Sequence, residues 1–469
     1  MKETWKTLNK VIKPNAQCNN LPKCFMHNGK VLKNQTEIAD EFNSFFVNVG
    51  PNIAKQIVNP NHKETRCNVA AAGGSKTLQS LFLSEITEYD ILDIVRKLKT
   101  KTSIDCDGID MFIVKKTVDC ILKPLSYIFN LSFISGVFPQ KMKTAKIIPI
   151  FKNGDKHMFN NYRPISILSQ FSKIIEKWFT IKLDSFLEEK NILFDYQYGF
   201  RSNRSTSAAL IHFTEEVLAA IDHSQYMVSV FLDLKKAFDS VNHELLLSKL
   251  QDYGIRGHVF KWLESYLQNR QQYVQFDQLN SKHETVVCGI PQGSIIGPKL
   301  FILFINDIYE ATKRMGFLLF ADDTTVYKSG SDLDALLSCV STEMANLKKW
   351  FDQNKLLLNW EKTKYMIFGT RKIEGNVNIT IDNSMIERVT KIKFLGVMLD
   401  TKFSWKPHIE YIRTKVSKCI GILHKVKYVL DEASLFLLYS SLIVPYFTYC
   451  IEVWGNACKS VIDRMFCYK

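Results

Sequence analysis

Hydrophobic spacing divides this chain into alternating helical and strand-like stretches. Glu37-Ile38-Ala39-Asp40-Glu41-Phe42-Asn43-Ser44-Phe45-Phe46 carries apolar residues at helical spacing, which predicts an amphipathic helix in an otherwise basic, mixed segment reaching about Lys55. The polar and small residues from Asn59 to Ser75 read as a linker. Ile86, Tyr89, Ile91, Leu92, Val95 and Leu98 then form the inner face of a helix over residues 85–98, with Ser84 as its N-cap. Residues 111–135 read as a more apolar helix. Ala145-Lys146-Ile147-Ile148-Pro149-Ile150-Phe151 is strand-like and ends in the hairpin-turn residues Lys152-Asn153-Gly154-Asp155. A helix is expected from about Ser207 to Ile221, and Met227 to Leu234 is the strongest strand signal in the chain.

Beyond that strand a helix is expected to open at Lys235 and run to about Leu250. Further helices are predicted at Lys299–Ile308 and Ser331–Phe351. The run from Lys355 to Phe368 leads into a strand, and Val389 to Asp400 reads as a strand pair kinked at Gly396. A last long helix, His408 to Leu430, keeps Ile409, Ile412, Val416, Ile420, Leu423 and Val426 at helical spacing and puts Arg413, Lys415, Lys418 and Lys425 on other faces. Those cations suit a nucleic-acid backbone, and a solvated face is the competing reading. The uncharged run Ala433 to Ile451 is long enough to span a bilayer, but Pro445 and its serines and tyrosines favour a buried helix and loop.

Candidate chemistry lies where these patterns break. Gly316-Phe317-Leu318-Leu319-Phe320-Ala321-Asp322-Asp323-Thr324-Thr325-Val326-Tyr327 reads as strand, tight turn and returning strand with two adjacent carboxylates at the turn. Like charges side by side repel unless a cation neutralises them, although an Asp pair is also ordinary turn chemistry. Asp233 ends an otherwise apolar strand, and a buried carboxylate must be paired, protonated or metal-bound. Neighbouring strands can bring Asp233, Asp322 and Asp323 around two metal ions. Lys152 and Arg163 flank a turn and suit a triphosphate, Arg bidentately. Tyr198-Gly199-Phe200-Arg201-Ser202-Asn203-Arg204 is a basic loop that either contacts strand phosphates or is merely solvated. Gly289-Ile290-Pro291-Gln292-Gly293-Ser294-Ile295-Ile296-Gly297-Pro298 suits the floor of a nucleotide pocket, or simply a rigid turn into a core helix. Ser103-Ile104-Asp105-Cys106-Asp107-Gly108-Ile109-Asp110 lacks the ligands of a calcium loop and reads as a turn and helix cap.

Composition narrows the partner. The 469 residues suffice for several domains, and 61 Lys and Arg against 47 Asp and Glu give a net charge of +14, which favours a polyanion. The 11 cysteines form no Cys-x-x-Cys, and with no secretory signal the expectation is reduced thiols in a cytoplasmic or nuclear setting.

Taken in order, Phe-Leu-Asp-Leu-Lys-Lys-Ala-Phe-Asp-Ser-Val at 231–241, Gly-Ile-Pro-Gln-Gly-Ser at 289–294 and Phe-Ala-Asp-Asp at 320–323 resemble successive palm motifs of reverse transcriptases. Their spelling is similar to that of non-LTR (LINE-type), jockey-like retrotransposons. The segments Pro-Ile-Phe-Lys-Asn-Gly-Asp, Asn-Tyr-Arg-Pro-Ile-Ser, Gly-Phe-Arg, Lys-Thr-Lys at 362–364 and Phe-Leu-Gly at 394–396 match the remaining blocks, so the resemblance covers residues 130 to 400. It implies an α+β right-hand polymerase with an antiparallel palm sheet packed on helices. Residues 1–79 would be an N-terminal extension and linker, 80–132 a helical lead-in, 133–225 fingers, 226–400 palm, and 401–469 a truncated thumb.

The resemblance further implies an RNA template, a DNA primer, dNTPs and two Mg²⁺ ions, with Mn²⁺ as an alternative. Asp233, Asp322 and Asp323 would bind metal, and Lys362 (ahead of Lys364) would protonate pyrophosphate. Lys152, Arg163, Phe238, Gln292 and Gly293 would hold the nucleotide, with Phe238 excluding a ribose 2′-hydroxyl. Arg201, Arg204, Phe394, Leu395, Gly396, Lys415 and Lys418 would hold primer and template. Residues 1–80 lack the carboxylates and histidines of the nuclease that such proteins carry upstream, so the chain reads as a piece of a longer protein or a decayed copy. The alternatives are an inactive RNA-binding remnant and an RNA-dependent RNA polymerase, the latter disfavoured by Phe238.

Overall fold

The computed structural model describes residues 22 to 463 except 23, 28, 58–76, 372, 374–377 and 382–383. The expected linker at 59–75 lies wholly outside the described residues. Two sheets organise the rest. In the six-stranded sheet, Tyr226–Leu232 lies between Asp323–Gly330 and Lys364–Phe368, antiparallel to both, and Gly316–Phe320 forms the edge beyond Asp323–Gly330. The expected antiparallel sheet needs one correction, because Lys364–Phe368 pairs in parallel with Ser384–Arg388. Val228, Val230 and Val326 are fully buried, as expected for a strand pair covered on both faces.

One face of this sheet packs on the helices Met111–Ser135, Gln170–Glu189, His243–Asp252, Gly297–Phe304 and Leu333–Gln353, in a core that includes Trp178, Trp262 and Phe301. The other face meets Thr206–Asp222 and the C-terminal elements through Phe213, Phe231 and Phe394. The five-stranded sheet pairs Thr144–Phe151 antiparallel with Tyr162–Leu168 and parallel with Arg270–Phe276. Helix Gln35–Ile57 lies against it, burying Ile38, Phe42 and Phe46 with Tyr162, Val274 and Phe276. Asn43 fixes that seat by donating to Gln272 and Lys282 carbonyls at 3.3 and 2.8 Å. Residues 35–57 are therefore a wall of the fold.

Several boundaries move. Thr87, not Ser84, caps the helix Glu88–Lys97, because Asp90 three positions on completes a reciprocal capping box. The expected turn and cap at 103–110 hold. Asp105 accepts from Asp107 and Ile109 N–H, and Asp110 caps Met111–Ser135. Residues 152–155 are only the start of the connection to Tyr162–Leu168, which closes through a 3₁₀ turn at Phe159–Asn161. No helix opens at Lys235. Lys236 is left-handed, Ala237–Asp239 is a short 3₁₀ turn, and the helix begins at His243 with Asn242 as cap. Ala433–Ile451 is helical but mostly not buried: Leu438, Ile443 and Cys450 are buried, while Phe436 and Leu437 are exposed. Among the described residues no helix is long and apolar enough to cross a membrane.

Candidate active site

The ladder between Asp323–Gly330 and Tyr226–Leu232 pairs Thr324 with Leu232, so the next step along it sets Asp323 beside Asp233. The turn before Asp323 is only Ala321-Asp322, with Ala321 in the left-handed region at φ 56°. A side chain there carries strain that the surroundings must hold in place. Gln197 does so, its Oε1 accepting from the N–H groups of Gly199 at 2.8 Å and Ala321 at 3.1 Å. Gly199 is required by contact, since a Cβ there would lie 2.2 Å from Ala321 N.

Asp233 is fixed by residues that follow the long helix Leu333–Gln353. Its carbonyl accepts from Asn359 N–H at 2.8 Å and its Oδ2 from Asn359 Nδ2 at 2.9 Å. Lys362 Nζ stands 3.6 Å from the same oxygen. Crowding by protein, then the charges of Asp322 and Asp233, push the Asp323 carboxyl up to about 6. Asp322 is raised chiefly by the same crowding, although both side chains reach the solvent of the cleft. Burial, then Lys362 and Arg163, lowers Lys152.

These acids floor a cleft of about 1270 Å³ that is also lined by Lys152, Arg163, Phe238, Gln292 and Lys362. The first helix supplies one wall through Ser44, Asn48 and Asn52. Phe238 stacks on Phe301 with centroids 4.4 Å apart. Gln292 is partly committed, donating to Asp239 at 2.7 Å, while its carbonyl accepts from Ser166 N–H at 2.8 Å. A Cβ on Gly293 would meet Ser166 O at 2.4 Å, so this glycine serves close approach of two backbones. The loop is anchored from below by buried Glu176, which accepts from Ile295 and Ile296 N–H.

Other expected contacts fall elsewhere. Arg201 does not offer its guanidinium to a strand: it is 7% exposed, bonds Glu188 at 3.0 Å and donates to Phe194 O at 2.9 Å. Phe394 is a core residue against Phe213 and Phe231, so it grips nothing with its ring. Leu395 and Gly396 form a left-handed turn covered by Tyr449, whose hydroxyl donates to Leu395 O at 2.7 Å. Arg204 lies over the Tyr198 ring and Lys415 over Tyr411, while Lys418 is exposed. Lys364 pairs with Glu387. Periodicity gave no signal for Gln197, Asn359 or Glu176, whose roles depend on contacts distant in sequence.

Among the described residues no three or more His, Cys, Asp or Glu side chains make a ready cage for a metal ion. Asp322 and Asp323, raised by burial and then by neighbouring carboxylate charge, nevertheless fit a hard cation, and Mg²⁺ needs only one or two carboxylates when substrate phosphates complete its shell.

The acid pair on the strand turn and the third acid beside it thus lie together under a basic and aromatic cleft. Residues 150–399 match the family model described as reverse transcriptase (RNA-dependent DNA polymerase), and the chain belongs to that family. It is 28% identical over 407 residues to the probable RNA-directed DNA polymerase from transposon BS of Drosophila melanogaster, covering 82% of this chain and 44% of that protein. The RNA-directed DNA polymerase from mobile element jockey of the same organism is 28% identical over 82% of this chain and 43% of its own length. That from transposon X-element is 30% identical over 73% of this chain and 38% of its own length. The jockey-like resemblance is thus borne out, and the chain spans less than half the length of these relatives.

Proposed function

We propose that this chain is the RNA-directed DNA polymerase part of a non-LTR retrotransposon protein, extending a DNA primer on an RNA template with dNTPs. The observation that carries this reading is the meeting of Asp233 with Asp322 and Asp323 on the floor of the cleft. Residues 133–225 act as fingers, 226–400 as palm and 401–469 as thumb. Asp233, Asp322 and Asp323 hold divalent metal, Mg²⁺ or Mn²⁺. Bound there, it supplies charge for the primer 3′-hydroxyl and for the triphosphate and leaving pyrophosphate.

The side chains of this chain do the positioning. Lys152 and Arg163 face the triphosphate, and Lys362, held near Asp233, is placed to give a proton to pyrophosphate. The Phe238 ring, backed by Phe301, is the gate against a ribose 2′-hydroxyl in this reading. Gly293 and the Gln292 backbone shape the nucleotide pocket. Arg204, Lys415, Lys418 and the backbone of the 395–396 turn remain the contacts for primer and template. The setting is an intracellular ribonucleoprotein, cytoplasmic or nuclear. Primer extension on RNA with dNTPs by this chain, but not by Asp322→Ala, is the expected result. Equal extension by both refutes the site.

A further inference from the structure

The hairpin that carries Asp322 and Asp323 has a second end, and a separate cavity of about 600 Å³ opens there. It lies beside Lys328, about 16 Å along the strand from Asp323 at the rise of an extended chain. Its wall is aromatic: Phe194 stacks on Tyr309 at 4.6 Å and meets Tyr196 at 5.4 Å. Tyr196 in turn stacks on His212 at 4.7 Å, yet remains 42% exposed. These rings are held rigidly. Tyr196 O accepts from Leu319 N–H and Tyr198 N–H donates to Leu319 O, which fastens the segment to the edge of the six-stranded sheet. His212 Nε2 bonds the Tyr327 hydroxyl at 3.0 Å.

The rim is cationic. Lys313 and Arg314 are exposed there, and Lys328 is tied to the Arg314 carbonyl at 2.8 Å. Glu216 is the acid in the lining, and Glu343 stands 3.9 Å from Arg314 Nε, which keeps most of its side chain exposed. A flat aromatic wall next to fixed positive charge recognises a planar ring joined to a phosphate, and base stacking of this kind tolerates any sequence. A purely apolar ligand would leave the cations unused, and a duplex has no unstacked ring to offer. A volume of this size takes one base with its sugar and phosphate.

We propose that this cavity is a second nucleic-acid site, taking an unpaired nucleotide of single-stranded RNA outside the catalytic cleft. Tyr196 provides the stacking face, and Lys313, Arg314 and Lys328 face the flanking phosphates. The site is independent of the polymerase reading, since none of these residues reaches the acid cluster.

The test measures fluorescein-labelled dodecauridylate binding by anisotropy, with the cleft first saturated by an unlabelled primer–template hairpin. Binding should persist with the cleft filled. Tyr196→Ala and Lys313→Glu should each weaken it about tenfold, with a shallower salt dependence for the lysine variant. Primer extension on a short template should be unchanged in both variants, which also shows that they fold. Loss of the RNA signal when the hairpin fills the cleft would assign all binding to the cleft and overturn the proposal. So would wild-type affinity in both variants. Should no extension be detected for any protein, the binding comparison stands on its own, with melting curves reporting the fold.

Discussion

Replacing Gly199 by alanine isolates the geometry of the acid turn from its chemistry, because no charged or polar side chain changes. The added Cβ would stand 2.2 Å from Ala321 N and 2.9 Å from Phe320 C. Ordinary contact begins at 3.4 Å, so the Ala321-Asp322 turn must retreat by about 1.2 Å or the 197–199 segment must lift by as much. Either movement stretches the 3.1 Å bond from Ala321 N–H to Gln197 Oε1 that ties the two segments together. A misplacement of about 1 Å at a reacting centre costs on the order of 10²-fold in rate. Primer extension on RNA, read as single-turnover rate at saturating dNTP, should therefore fall about a hundredfold in Gly199→Ala. The overhang is local, so thermal melting should still show one cooperative transition. A folded variant that extends at the rate of the parent protein would refute the claim that Gly199 and Gln197 position the acids.

Other outcomes follow from the same geometry. Asp323, raised to about 6 from an ordinary 3.8, keeps a proton in the folded chain that the unfolded chain has lost, so it makes stability fall as pH rises through that window. Bound Mg²⁺ should reverse this, giving a melting shift that grows from pH 5 to pH 7 and flattens in Asp323→Asn; a pH-independent shift would count against the assignment. Phe238→Ala, which empties the space backed by Phe301, should raise rNTP incorporation relative to dNTP by about tenfold or more, read on gels with each substrate separately. Arg201→Ala should cost about 1–2 kcal/mol in chemical denaturation, less than a fully buried pair because Glu188 is 42% exposed, and should leave the salt slope of RNA binding unchanged.

The acids, the cations and the Gly-Pro loop were readable from sequence because each interrupts an apolar pattern: Asp233 closes a strand of valines, and Asp322-Asp323 divides two. What periodicity cannot carry is the use to which a side chain is put after folding. Arg201 and Arg204 sit in one loop with equal charge, yet Glu188, close by only once helix 170–189 is in place, claims Arg201. Phe394 belongs to a motif segment and still faces the core, because alternation along a short strand gives it a buried side. The helix expected at Lys235 begins only at His243, because a left-handed Lys236 leaves no mark in composition. Asn359 was missed for the same reason that Gln197 was. Each bonds a partner far away in the chain, and a lone amide in a polar stretch looks like solvation.

The seating of the first helix has a consequence for synthesis. Its Asn43 meets Gln272, 229 residues later, and the sheet that covers Phe42 and Phe46 is incomplete until that strand has emerged. At 5–20 residues per second a ribosome needs roughly 10 to 45 seconds to deliver it. Throughout that interval Phe42 can reach Phe159 and Tyr162 but not Phe276, so the nascent chain carries its amphipathic helix only half covered.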